Sequence, residues 1–317
     1  MNANATCLVA DVGGTNTRVA VFDGQAIRAD SVRRFRNADF HGLDDVLRKQ
    51  VSDLGLDNLT TACVAVAGPV EDGVGRLTNL DWAIDAALLK KATGAAQGYV
   101  INDLEAQGHA LDDVTWQPLL TSDGRPLDPD GSRLVIGVGT GFNAAPVHGR
   151  PGARSVVPSE CGHISLPVWD EDSYALSRWV AERCEGFASV EEVLSGRGLP
   201  AIYQFYSGEE APRDGKAILS ELREPGAETA RRSIDMFCHI LGRVAGDLAL
   251  VHLPRGGIYL IGGMARAVEN LLADHGFAEG FLDKGRFRQF NAAFQVFLVD
   301  DDYAALTGCM RFADNHV

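Results

Sequence analysis

The sequence predicts a two-lobed α/β protein, and three observations predict it. The 317 residues are too many for one minimal domain and suit two modest ones, each with its own core. Short β-like apolar runs alternate with stretches of helical periodicity. The opening pattern of the chain, an apolar strand, a Gly/Thr-rich turn and a second strand, returns in the second half at 133–147.

Composition narrows the function. With 46% hydrophobic and 23% charged residues the chain reads as an ordinary globular protein. Forty-three acidic residues against 29 basic give a net charge of −14, which repels nucleic acid and anionic membranes, so neither is an expected partner. An anionic ligand must then be held by backbone N–H groups, helix N-termini and a metal. No apolar run reaches the roughly 18 residues of a membrane span. Met1-Asn2-Ala3-Asn4 places no basic residue before the first apolar segment, so neither insertion nor export is expected. The cysteines Cys7, Cys63, Cys161, Cys184, Cys238 and Cys309 form no CxxC pair, which points to reduced thiols in the cytoplasm and away from a structural zinc.

Taken in order, Cys7 to Ala10 reads as a strand, Asp11-Val12-Gly13-Gly14-Thr15-Asn16-Thr17 as a polar turn, and Arg18 to Phe22 as the returning strand. A helix follows over 43–54, then a buried strand over 62–67 that stops at Gly68-Pro69. A short polar hairpin is expected near 71–80 and a helix near 85–91. The strand 99–101 runs into Asn102-Asp103, where a new helix begins and the first lobe ends. The lobes are thus expected at 1–103, completed by a C-terminal helix at about 302–317, and at 104–301.

In the second half a Pro- and Asp-rich surface stretch covers 118–131. The strand 133–138 then ends in Gly139-Thr140-Gly141-Phe142-Asn143 before 144–147 returns. A mostly helical region runs to about Leu253. A final strand over 257–261 reaches Gly262-Gly263 before a helix over 265–272, and the last helix, near 303–312, is long enough to pack back onto the first lobe.

The two turns suit phosphoryl transfer, in which the protein supplies mainly positioning and electrostatics. Gly13 and Gly14 admit a phosphate to the backbone, Thr15 and Asn16 offer hydrogen bonds, and Asp11 is a hard oxygen donor for Mg²⁺, directly or through water. Gly139, Thr140 and Gly141 repeat the approach without an acid. A single such turn would more often only close a hairpin; two matching turns, one headed by an acid, argue for phosphate. No G-x4-G-K-[ST] occurs, and 137–142 lacks the third glycine of the dinucleotide fingerprint.

These segments resemble the bacterial glucokinase family of the sugar kinase, Hsp70 and actin ATPase superfamily. Asp11 to Asn16 resembles its first phosphate motif, Gly139-Thr140-Gly141 its second, and Gly257 to Gly263 with the following helix its adenosine motif, a match over nearly the whole chain. The resemblance implies a ribonuclease H-like, actin-like ATPase fold with a cleft between a smaller N-terminal and a larger C-terminal domain. It also implies ATP-dependent phosphorylation of glucose at the 6-hydroxyl in closing lobes, ATP and Mg²⁺ as cofactors, and a homodimer. In that light Asp103 is the catalytic base and Asn102 a sugar ligand; on the residues alone the pair reads first as a helix cap.

Ser159-Glu160-Cys161-Gly162-His163 resembles the family's sugar-binding segment, and Glu191 falls where the family has another sugar-contacting Glu. Without the family, Glu160 and His163 read as a surface pair, a core histidine or a metal fragment. Two departures stand out. Phe142-Asn143 replaces the usual Leu-Gly, giving the backbone less freedom beside the turn, and Pro158-Ser159-Glu160-Cys161 replaces Pro-Gly-Glu-Gly, placing a thiol near the sugar. The alternatives are another hexose or amino sugar as acceptor, a non-catalytic sugar-binding protein, and a sugar-responsive regulator. The last needs a DNA-binding module for which a motif beginning at Asp11 leaves no room.

Overall fold

The computed structural model describes residues 6–77, 80–121 and 125–316. The N-terminal tetrapeptide, two residues of the hairpin expected near 71–80 and three of the 118–131 stretch lie outside the described residues. The chain divides into two compact units, Met1–Val114 with Gly149–Pro158 and Asp301–Val317, and Thr115–His148 with Ser159–Asp300.

The first unit is built on β1 (Thr6–Val12), β2 (Asn16–Asp23), β3 (Ala26–Ile27), β4 (Arg33–Arg36), β5 (Thr61–Val66) and β9 (Gln97–Asn102). The order is β3-β2-β1-β5-β9, with β4 also paired to β2. β1 and β2 form the expected antiparallel hairpin, and β1, β5 and β9 run parallel. Parallel strands are covered on both faces, which is why β1 and β5 read as unbroken apolar runs.

Alternation still sorts their side chains. Leu8, Ala10, Val12, Val64 and Val66 pack with α1 (Leu43–Leu54) and α2 (Ala86–Thr93) on one face. Cys7, Val9, Cys63 and Ala65 pack with α3 (Asp103–His109) and α11 (Ala304–His316) on the other. α11 crosses α3 at Gly308, where any side chain would strike the carbonyl of Ala106. β6 (Val70–Glu71), β7 (Val74–Arg76) and β8 (Ala83–Ile84) make a small antiparallel sheet, and the two-residue β13 (Ser155–Val156) lies against α3.

The second unit repeats the plan. β11 (Arg133–Val138) and β12 (Phe142–His148) form a hairpin, β14 (Ile258–Ile261) runs parallel to β11, and β15 (Val296–Val299) runs parallel to β14. β10 (Trp116–Leu120) closes the edge antiparallel to β15. The strand at 257–261 is therefore not the last, and the Pro- and Asp-rich stretch begins inside a strand. Pro118 fits there because an edge strand needs no inward N–H from every residue.

The helical layer is α4 (Glu171–Ala181), α5 (Gly198–Ser207), α6 (Gly215–Glu221) and the long α7 (Glu228–His252), followed by α8 (Gly263–Val268), α9 (Phe277–Leu282) and α10 (Arg288–Asn291). α8 replaces the longer helix expected at 265–272. Asp170 caps α4 by accepting the Ser173 N–H at 2.8 Å, and α7 buries a stripe including Ile234, Phe237, Leu241, Val244 and Leu248.

Candidate active site

In the first unit the predicted residues converge on the C-terminal edge of the parallel strands, where α/β sheets bind ligands. Register places Val12, Val66 and Asn102 in one row across β1, β5 and β9. Asp11 stands one residue back, opposite Arg18, whose Nη1 is 3.7 Å from its Oδ2. Burial pushes the Asp11 carboxyl up from its ordinary pKa, and Arg18 partly opposes that. A desolvated carboxylate at the mouth of a glycine turn fits a hard divalent cation held by one protein oxygen and completed by phosphate and water. Among the described residues no three His, Cys, Asp or Glu gather as a metal cluster.

The turn after β1 is closed by the Gly13 N–H donating to the Asn16 carbonyl at 3.0 Å, leaving Gly14 and Thr15 exposed. Its support is a residue the sequence reading missed. Asn37, only 2% exposed, donates from Nδ2 to the Gly13 carbonyl at 2.7 Å, accepts the Thr17 hydroxyl at 2.8 Å, and donates its backbone N–H to the Thr15 carbonyl at 2.9 Å. β4 delivers it: Arg36 pairs with Asn16, so the next residue lands behind the turn. Nothing local in the sequence marks this role, which comes from the pairing of β4 with β2.

Asn102 serves as the N-cap of α3. Its Oδ1 accepts the Leu104 and Glu105 N–H groups at 2.9 and 3.4 Å, Glu105 completes a capping box, and its Nδ2 donates to the Gly68 carbonyl at 3.0 Å. The cap and the Gly68 bond use the side-chain oxygen and one amide proton. Asp103 begins the helix, half-buried, with Oδ1 accepting the Leu104 N–H at 2.8 Å. The cap reading of this pair is the one observed, and it fixes the aspartate at the strand edge.

In the second unit the Gly139 N–H donates to the Gly141 carbonyl at 2.9 Å, and the Gly196 N–H donates to the Gly139 carbonyl at 2.7 Å. Gly262, at φ +109°, passes so close that a Cβ would meet the Val138 carbonyl at 2.5 Å and the Gly139 nitrogen at 3.3 Å. Gly262-Gly263 and Gly139-Thr140-Gly141 are therefore one surface, glycine-lined so that a phosphate or ribose can reach the backbone.

Glu191 ties that surface to the 159–163 segment. Its Oε2 accepts the Phe142 N–H at 3.0 Å, a Cβ on Gly141 would sit 2.5 Å from the same oxygen, and its own N–H donates to the Gly162 carbonyl at 2.8 Å. Arg197 donates to Oε1 at 2.8 Å and to Glu192 at 3.1 Å. Glu160 and His163 are both exposed, on a 3-10 turn where the His163 N–H donates to the Glu160 carbonyl at 3.1 Å. A satisfied core histidine is thereby ruled out.

The two departures touch each other. Asn143 lies in β12, where its backbone needs no glycine freedom, and its amide bonds the 159–161 segment. The Cys161 thiol is half-buried, and burial pushes it above its ordinary pKa, away from a reactive thiolate.

Two hairpins with glycine turns, each followed by parallel strands and each carrying polar groups on the C-terminal edge, define a sugar-kinase class of protein. The model of the glucokinase family matches residues 8–316, and the chain belongs to that family. A glucokinase of Caulobacter sp. strain K31 is 31% identical over 97% of this chain and 95% of its own length. The crystal structure of a glucokinase from an Antarctic psychrotroph, 31% identical, superposes with a TM-score of 0.84 over 98% of this chain and 99% of that one. A ROK family glucokinase of Streptomyces griseus, solved with glucose and AMPPNP, shares the fold at 20% identity, with a TM-score of 0.64 over 97% of this chain and 99% of that one. The actin-like ATPase fold is thus the fold of this chain.

Proposed function

We infer that the chain transfers the terminal phosphoryl group of ATP to the 6-hydroxyl of glucose, giving glucose 6-phosphate and ADP. The observation that carries the reading is that a glucokinase-family chain holds a capped aspartate at a strand edge in one unit and, in the other, an exposed Glu-His turn beside a glycine-lined surface.

Asp103 accepts the proton as the 6-oxygen forms its bond to phosphorus and the bond to the ADP oxygen breaks. Its position at the first turn of α3 fixes the accepting oxygen without a long flexible linker. Glu160, His163 and Glu191 bind the sugar hydroxyls, and Asn102 adds its second amide proton. Gly13, Gly14, Thr15 and Asn16 of one turn, and Gly139, Thr140 and Gly141 with Gly262 and Gly263 of the other, hold the nucleotide by close backbone approach, with the Gly13 and Gly139 N–H groups kept for closing the turns themselves. Asp11 holds Mg²⁺, directly or through water, and the ion when bound neutralises charge on the phosphates.

The reading places the protein in the cytoplasm, in keeping with six unpaired cysteines. None of the described helices is long and apolar enough to cross a membrane. A homodimer is part of the reading and rests on the family resemblance alone; sedimentation of the purified chain checks it.

The test is a coupled ADP-release assay with MgATP over glucose, mannose, fructose, glucosamine and N-acetylglucosamine. Glucose is expected to give the highest kcat/KM. A faster amino sugar or ketose would move the assignment to that acceptor, and no turnover of any would overturn it.

A further inference from the structure

The hydrogen bonds of Asn143 cross between the phosphate hairpin and the sugar segment. Its Oδ1 accepts the Ala144 N–H at 2.8 Å, the Cys161 N–H at 3.1 Å and the Ser159 hydroxyl at 3.3 Å. Its Nδ2 donates to the Ser159 carbonyl and, at 3.4 Å, to the Glu160 carboxylate at Oε2. The single Ser159 hydroxyl proton is shared, mainly with the Ala144 carbonyl at 2.6 Å and more weakly with Asn143 Oδ1. Glu160 itself is exposed on a short 3-10 turn, so without these bonds its carboxylate would sample many rotamers.

We propose that Asn143 is a positioning residue for sugar binding: its amide aims the Glu160 carboxylate and locks the 159–161 backbone to β12. The inference rests on the glucokinase reading above and goes beyond it, because no part of that reading gives Asn143 a task. Donor and acceptor do different work. The acceptor oxygen holds the backbone of the segment, while the donor nitrogen faces two oxygens, the Ser159 carbonyl and the Glu160 carboxylate, and settles where the carboxylate points.

The isosteric Asn143→Asp separates the two. It keeps the acceptor and sets a second carboxylate against Glu160 and the Ser159 carbonyl, whereas Asn143→Ala removes both functions and adds no repulsion. Steady-state kinetics of the full chain are expected to show KM for glucose raised about ten-fold in the Ala variant. The Asp variant should be raised further, with kcat falling less than KM rises and KM for MgATP moving less than either. Acidification should bring the KM of the Asp variant back toward the original as the new carboxyl takes a proton and donates again.

A role confined to holding the loop together predicts instead that Ala is the worse variant, with lower melting temperatures and no pH-dependent recovery in Asp. That result overturns the proposal, as does an unchanged KM for glucose in both. Absence of glucose turnover by the unaltered chain would remove the glucokinase reading and the proposal with it. Normal turnover by the unaltered chain with flat variants removes only the proposal.

Discussion

In the first unit the glycine turn after β1 is braced by a neutral amide, Asn37, whereas in the second the turn after β11 is braced by a carboxylate, Glu191. The first turn carries its own acid, Asp11, and a brace without charge adds no second anion to it. The second turn carries none, and its bracing acid is shared with the sugar segment through the Glu191 N–H to Gly162. One hairpin plan thus occurs in two forms, a turn headed by its own acid and braced by an amide, and a turn without an acid braced by a carboxylate that also bonds a neighbouring segment; on the proposed function the first form holds metal and phosphate, and the second links phosphate to sugar.

Substitutions sharpen that difference. The largest effect is expected at the first turn's acid: Asp11→Asn should lower kcat/KM for MgATP about a hundred-fold, with glucose affinity by calorimetry little changed. Because burial raises the Asp11 pKa, the unaltered enzyme should lose Mg²⁺-dependent activity on acidification sooner than an ordinary carboxylate would require, and that limb should vanish in the variant. Next comes Glu191→Gln, which keeps the shape but turns a donor toward Arg197 or Phe142. Both KM values should rise, by about ten-fold each. An effect on nucleotide alone would break the claim that this brace is shared.

Asn37→Ala should raise only KM for MgATP, by a few-fold, and lower the melting temperature by roughly 3–6 °C as buried partners lose their bonds. A rise in KM for glucose as well would blur the contrast between the turns. The smallest effect concerns His109, at the far end of the helix that carries Asp103. It is 5% exposed, and burial lowers its pKa to about 4. The unfolded chain binds this proton near pH 6.5 and the folded one does not, so the stability contributed by a neutral His109 is full above about pH 6.5 and is lost as pH falls toward 4. Thermal melts between pH 7 and 4.5 should show a shallower decline in His109→Gln, and parallel declines would contradict this.

What the sequence made legible is what local periodicity and turn chemistry encode. The β1–β2 and β11–β12 hairpins, α1 and the buried strand β5 follow from runs and breaks along the chain, and so do the positions of the two glycine turns. β15 was hidden because Val296-Phe297-Leu298-Val299 is too short and too uniformly apolar to declare a period, and β10 because Pro118 disguises an edge strand. Asn37 and Asn143 were out of reach for another reason. Their roles come from pairings distant in sequence, β4 on β2 and β12 beside the 159–161 segment, and a propensity for turns says nothing of what lies behind one. Asn102-Asp103 was legible as two competing readings, of which the capping box displays the cap.

The most direct test of the account is turnover and glucose binding by Asp103→Asn. The account predicts kcat lower by about a thousand-fold, with glucose affinity by calorimetry within a few-fold of the original, because the base acts on the leaving proton while Glu160, His163 and Glu191 hold the sugar. A variant that binds glucose and still turns over within ten-fold of the original would contradict the assignment of Asp103 as base.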